Sequence, residues 1–258
     1  MSSTVFAHLP YPQIFQQFDY LIAGRINPEI FFSSDALDAV IPEELASVAE
    51  TLGANGLKCT IHAPFMDLNP GSVARLIRDV TRHSFGQVLA AATILKPEII
   101  VFHPGYDRWR YGDNRDAWLT HSVESWQWVL ERAEPIGCVV AVENIFEEEP
   151  STLLALIEAV NSPRFRHCFD VGHWNLFKKV GLEEWFAALG SHIAETHIHD
   201  NHGSRDDHAP LGEGNIDFPL FFSLMKRYAP AAAWTIEAHS REKLERAFIN
   251  LQDYYSSE

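Results

Sequence analysis

The sequence predicts a (β/α)₈ barrel, and three observations carry the prediction. The chain has 258 residues, close to the roughly 250 that one complete barrel of this kind occupies. Short apolar or β-branched runs alternate with longer stretches of helical period, the pattern of βα units around a parallel sheet. Most of the later runs end on a histidine or a carboxylate, and in such a barrel all strands end on one face.

The strand candidates, in order, are Val5 to His8, Glu29 to Phe32, Lys58 to His62, Ile99 to His103, Cys138 to Glu143, Arg166 to Asp170, Ile193 to His197 and Trp234 to Glu237. The helix candidates are Tyr11 to Phe18, Pro42 to Ala54, Ser72 to Leu95, Arg115 to Glu134, Ser151 to Val160, Leu182 to Leu189, Pro219 to Tyr228 and Ser240 to Tyr255. In the third helix Val73, Leu76, Ile77, Val80 and Ser84 recur at helical spacing, with Arg75, Arg78, Asp79 and Arg82 opposite, so the apolar stripe is expected to pack on the sheet. Ser151 and Ser240 suit N-caps, and Pro42 and Pro219 suit first-turn positions, where a missing N–H is harmless. No linker or solenoid repeat interrupts the alternation, so one domain over 1–258 is expected. No helix shows an unambiguous exposed apolar stripe, and association into oligomers is left open.

Composition narrows the class. Apolar residues make up 47% and charged residues 21%, ordinary values for a globular chain. Runs such as Ile99 to Phe102 fall far short of the roughly 18 apolar residues of a membrane span. Met1 to Phe6 has no basic segment followed by an apolar stretch, so no signal peptide and a cytoplasmic location are expected. Cys59, Cys138 and Cys168 each lie in a β-like run and read as small core residues. A net charge of −15 repels polyanions, which weighs against a nucleic-acid partner but leaves a small phosphorylated substrate open.

The candidate chemistry sits at the strand ends: His62, His103, Glu143, Asp170, His197 and Glu237. One such group is usually a satisfied structural residue. Several around one opening would repel or strand one another without cations, whereas divalent ions convert that cost into ligation. Mixed imidazole and carboxylate donors suit zinc, manganese or iron better than magnesium or calcium. Two motifs extend the set. Phe169-Asp170-Val171-Gly172-His173 puts an acid and an imidazole three apart over a strand-to-loop turn. The run from His197 to Ile216 carries His199, Asp200, His202, Arg205, Asp206, Asp207 and His208 among glycines.

At Ile61-His62-Ala63-Pro64, Phe102-His103-Pro104-Gly105, Val142-Glu143-Asn144, the Asp170 to His173 motif, the His197 to Gly214 run and Ile236-Glu237, the chain resembles the xylose isomerase-like barrel superfamily. That superfamily includes sugar isomerases, epimerases and endonuclease IV. The endonuclease pattern implies His62, His103, Glu143, Asp170, His173, His197, Asp206, His208 and Glu237 as ligands of a three-metal cluster. The epimerase pattern implies one ion on Glu143, Asp170, His197 and Glu237, with Glu143 and Glu237 as acid and base and His173 on a substrate hydroxyl.

The resemblance thus implies an enzyme holding one to three zinc or manganese ions. The reading chosen on the sequence is an isomerase or epimerase of a sugar or sugar phosphate, with proton transfer by metal-bound glutamates. The alternative is a multi-metal phosphoester hydrolase acting on a small phosphodiester, with DNA less favoured because the connection Leu9-Pro10-Tyr11 is short. A ligand-binding barrel without catalysis ranks third. Tyr106 and Trp109, in the loop from Gly105 to Gly112, are candidates for stacking on substrate, and Arg205 for pairing a phosphate. Phe65, Trp174 and Phe177 either wall the pocket or pack in the core. His8 ends the first strand but belongs to no motif and is left out.

Overall fold

The computed structural model describes residues 4–255, so Met1, Ser2 and Ser3, on which part of the leader reading rests, lie outside the described residues. Eight parallel strands close into a barrel in sequential order: β1 Val5–Pro10, β2 Asn27–Phe31, β3 Thr60–His62, β4 Ile99–Phe102, β5 Val139–Glu143, β6 Phe165–Asp170, β7 Ile193–Ile198 and β8 Ala233–Ile236. Each expected strand is present, with ends shifted by at most two residues. The surrounding helices are α1 Ile14–Gly24, α2 Ser34–Asp38, α3 Pro42–Ala54, α4 Arg75–Leu95, α5 Arg108–Tyr111, α6 Arg115–Ala133, α7 Ser151–Val160, α8 Val171–Phe177, α9 Leu182–Leu189, α10 Phe218–Tyr228 and α11 Arg241–Tyr255. None among the described residues is long and apolar enough to cross a membrane.

Three short helices, α2, α5 and α8, were not expected, because one or two turns carry too little periodicity to register. Local capping makes them. Ser33 accepts the Ala36 N–H, Asp107 accepts the Trp109 N–H, and Asp170 accepts the His173 N–H at 2.6 Å. All three follow strand ends, so they build the rim that bears the candidate chemistry. Helix α1 begins later than expected and runs on to Gly24, where Arg25 in the left-handed region (φ 49°) ends it.

Alternation along the strands divides the molecule. Outward residues pack under the helices in the main apolar core, while Phe6, Ile99, Val101, Ala141, Cys168 and Ala233 fill the lower barrel interior. All three cysteines are buried and free. Two expectations fail. The stripe on α4 faces the sheet only at Ser84. Leu76 is 67% exposed and Val80 59%, while Phe85, Val88, Ala92 and Leu95 do the packing. The helix overhangs the barrel rim for its first turns, so the same face leaves the sheet behind. Ser151 does not cap α7, because Pro150 holds that position and the Glu149 carboxylate accepts the Ser151 N–H. Ser240 does accept the Lys243 N–H at 3.2 Å.

Candidate metal centre at the barrel mouth

Glu143, at the end of β5, is the hub of the mouth. His62 Nε2 lies 3.1 Å and His103 Nε2 3.2 Å from its Oε2, and His173 Nδ1 lies 3.0 Å from Oε1. On the β6 to β8 side, His199 Nε2 lies 3.2 Å from Asp170 Oδ2 and 3.8 Å from Glu237 Oε2. On the outer side, Asp206 Oδ2 lies 3.0 Å from His208 Nε2 and 3.5 Å from His173 Nε2. Residues spread from His62 to Glu237 therefore form three adjoining groups, with Glu143 central and His173 linking the first and last.

The side chains fit divalent ions. His199 Nδ1 and His208 Nδ1 are buried with no hydrogen-bond partner, a rare and costly state for a polar atom that nothing binds. Ligand atoms of Asp170, His173 and His199, and those of His199, His208 and Glu237, lie within 4.8 Å of one another. Neutral imidazoles with carboxylates form the donor set of zinc, manganese or iron.

Electrostatics acts the same way. Burial pushes the Glu143 carboxyl up, but His197 and His103 outweigh it and hold the group well below the carboxylate range. Glu237 is lowered likewise, against its own burial, by His197 and His8, and Asp206 by hydrogen bonds to His173 and His208. His173 is held far above the imidazole range, with Asp170 and Asp206 overriding burial, and His199 rises beside Asp170. The carboxylates thus favour the charged imidazoles of His173 and His199, whereas burial draws His103 below the imidazole range against Glu143.

Beneath it lies a layer that the sequence reading treated differently. Strand β7 continues one residue past His197 to Ile198. His197 nonetheless stays with the expected ligands, its Nδ1 lying 3.3 Å from Glu143, 3.8 Å from Asp170 and 3.4 Å from Glu237. His199 lies beside Asp170 and Glu237 as a further candidate. His197 is fully buried, with Nε2 3.1 Å from Glu29 Oε2. Glu29 also receives His8, whose Nδ1 is 3.1 Å away and 3.4 Å from Glu237. Despite full burial, His197 brings the Glu29 carboxyl down to about 2. His8, Glu29 and His199 were all passed over. Inward alternation through Phe6 and His8, and through His197 and His199, was the signal that could have found them.

The loop bearing Asp206 and His208 is fixed by a carboxylate. Asp200 is fully buried and accepts N–H groups from Asn201, Gly212, Gly214 and Ile216, at 2.8, 3.0, 2.8 and 3.3 Å. A Cβ on Gly214 would strike that carboxylate, and one on Gly172 would strike the His199 ring. The folded loop holds His208 in the left-handed region (φ 42°), a strained setting typical of functional sites. Arg205 lies at the outer turn with its side chain 84% exposed and its guanidinium 4.0 Å from Asp207. It does not line the cavity, so the phosphate role expected of it is not supported by this placement. Trp109 also lies outside the lining, 83% exposed and covered by Arg108. Helix α5 turns its ring outward while Tyr111 packs in. Tyr106 does line the mouth, as do Phe65 and Phe177, whereas Trp174 is core. The cavity above the cluster measures about 690 Å³.

Residues 28–255 match the sequence profile of the xylose isomerase-like TIM barrels. The chain belongs to this family. Among related xylose isomerase-like sequences, an uncharacterized protein of Methanocaldococcus jannaschii, MJ1311, is 29% identical over 184 residues, covering 69% of this chain and 63% of its own length. A protein of Mycobacterium leprae named probable endonuclease 4 is 25% identical over 213 residues, covering 78% of this chain and 81% of that one. A crystal structure of a D-tagatose 3-epimerase-like protein superposes with a TM-score of 0.77 at 25% identity, covering 89% of this chain and 88% of the other. The chain is therefore similar to proteins named for both reactions that the sequence left open.

Proposed function

We propose that the protein is a divalent-metal-dependent phosphoester hydrolase acting on a small substrate. The observation that carries the reading is the division of the mouth into three ligand groups around Glu143. His62, His103 and Glu143 would hold one ion, Glu143, Asp170, His199 and Glu237 a second, and His173, Asp206 and His208 a third. Ions bound there would supply Lewis acidity for phosphoryl oxygens and ionise water near neutral pH. The remaining steps belong to the chain. Glu143, Glu237 and Asp206 stay deprotonated, so they accept ions without first losing a proton. His8, tied to Glu29 and lining the cavity, stands where it can contact the substrate beside Glu237. Phe31, Phe65 and Phe146 line the walls and limit water around the reacting group.

A small substrate suits the cavity volume, which lies in the usual range for ligand pockets. It also suits the net charge of −15 and a β1-to-α1 connection of one short turn, Tyr11–Gln13. The test is elemental analysis of the purified chain with turnover of bis(p-nitrophenyl) phosphate. More than one ion per chain and metal-dependent release of nitrophenol are expected. A single ion with no phosphoesterase activity would reject the proposal.

Epimerisation is the second reading, favoured by the D-tagatose 3-epimerase-like neighbour and by Glu143 and Glu237 both lying against His197, at 3.3 and 3.4 Å. It needs one ion and two carboxylates trading a proton with carbon. Uptake of solvent deuterium into ketoses would support it over hydrolysis.

A further inference from the structure

The apolar face at the start of α4, with Val73 just before it, borders a second cavity beside the mouth. Val73, Leu76, Ile77 and Val80 are 41 to 67% exposed along two turns. Val73 and Ile77 line this second cavity, of about 450 Å³, with Asn69, Ser72, Asp67 and Arg110. Asp67 and Arg110 line both cavities, so the two spaces adjoin across that pair. Above its ligand-bearing floor the main cavity is walled by Phe31, Phe65, Met66, Leu68, Phe146 and Phe177, with Met66 itself 70% exposed. Cations flank this path in a chain of net charge −15. Besides Arg110, Arg78 donates to the Ser72 and Val73 carbonyls at 2.6 and 3.2 Å.

We infer that the site takes an amphiphilic ligand, with a phosphorylated head group on the floor of the main cavity and an alkyl or acyl chain on α4. The chain passes between Asp67 and Arg110 and lies along Val73, Leu76, Ile77 and Val80. The head-group assignment rests on the hydrolase reading above. A bare polyol would turn hydroxyls toward Met66, Phe146 and Phe177, where each one desolvated without a partner costs binding. An alkyl chain covers those walls and the open helix face at once. The competing occupant is a second copy of this chain, but two helical turns offer less than the roughly 800 Å² per partner of a stable association.

The test is calorimetric titration of n-alkylphosphonates, from ethyl to dodecyl and below micelle-forming concentrations, into the zinc-loaded protein. These probes carry the head group and cannot be hydrolysed. Binding should tighten by about twofold to fourfold for each added methylene that reaches the walls and the helix. The double variant Ile77→Ser, Val80→Ser should flatten that slope while retaining a cooperative melt. A wild-type slope of zero, or an unchanged slope in the variant, overturns the inference. So does a wild-type dimer that Leu76→Arg dissociates without any chain-length dependence, since the face would then belong to a second copy. A slope without phosphodiester turnover upholds the ligand class and removes only the hydrolase reading. Turnover without a slope does the reverse.

Discussion

The mouth of the barrel and the layer beneath it are built from the same residue types and behave oppositely. Below, Glu29 meets His197 and His8, and Glu195 meets the hydroxyls of Thr60 and Thr235. At the rim, His199 and His208 each keep a buried nitrogen without a partner. Glu195 Oε2 is likewise buried without a partner, so the lower layer also has polar capacity to spare; the upper one differs in opening on the cavity. What separates the two layers is access: His62, His103, Glu143 and Glu237 line the cavity, whereas Glu29, Glu195 and His197 do not. The carboxylates within the lower layer differ as well. Glu29 is lowered to about 2, with His197 opposing its burial, while burial and then Glu29 push Glu195 up to about 8, so one is an anion and the other a neutral acid at pH 7.

The sharpest way to test this contrast is to remove the hub. Glu143→Gln is expected to lower the ion count and to reduce metal-dependent turnover by about 10³-fold or more, roughly 4 kcal/mol of barrel-mouth stabilisation of the transition state. Elemental analysis and kcat/KM on the same preparation check it. Near-normal ion content and turnover would show that the rim ligands do not act as a unit.

In the lower layer the effect falls on stability, and it should differ between the two glutamates. Glu29→Gln leaves His197 and His8 sharing a neutral acceptor and should cost about 2–3 kcal/mol in urea unfolding of the chelated protein. Glu195→Gln replaces a group already neutral at pH 7 and should cost about 1 kcal/mol or less. Equal losses would contradict the asymmetry between the two buried acids.

The pH dependence follows from the directions of the shifts. Glu143, Glu237 and Asp206 are lowered, so their contribution is present above the ordinary carboxylate range and is lost as pH falls through their folded values. His62, His173, His197 and His199 are raised, so theirs is whole below about 6.5 and is lost as pH rises through the folded values. Glu195, raised to about 8, and Glu147, raised to about 7, add a cost that grows above the ordinary carboxylate range and persists beyond those values. His103 and His167, lowered by burial, add one that grows as pH falls below about 6.5. The chelated protein should therefore melt highest between about pH 4.5 and 6.5. Added zinc should raise the melting temperature more at about pH 8 than at about pH 6, because protons compete for the same imidazoles. A chelated protein that melts higher at the alkaline end would break this account.

The barrel was legible in the sequence because each strand is a short apolar run bounded by turn residues, and most ligand candidates were legible because they end those runs. Errors arose where a one-residue offset decides the level a side chain occupies. Taking β7 to stop at His197 hid His199, since one more residue of strand, Ile198, carries the inward alternation on to it, while His197 keeps its place against Glu143, Asp170 and Glu237. Glu29 was overlooked because the expected strand began at it, whereas β2 begins at Asn27 and carries Glu29 in register with His8. The α4 stripe had correct periodicity and the wrong partner, since a hydrophobic period specifies a face and not what covers it.

The smallest effects should separate the pinned part of the loop bearing Asp206 and His208 from its exposed turn. Asp200→Asn turns one acceptor oxygen into an amide that faces backbone N–H donors at Gly212 and Gly214. It should loosen the segment holding Asp206 and His208, lower affinity for the ion on that side by roughly tenfold, and leave the ions held by His62 and Glu237 in place. Zinc titration against a competing chelator would show one weakened site rather than uniform loss. Arg205→Ala, on the same loop but 84% exposed and away from the cavity lining, should change KM by less than about twofold. A large rise in KM confined to phosphorylated substrates would mean that the loop swings Arg205 inward on binding, restoring the role that its sequence position suggested.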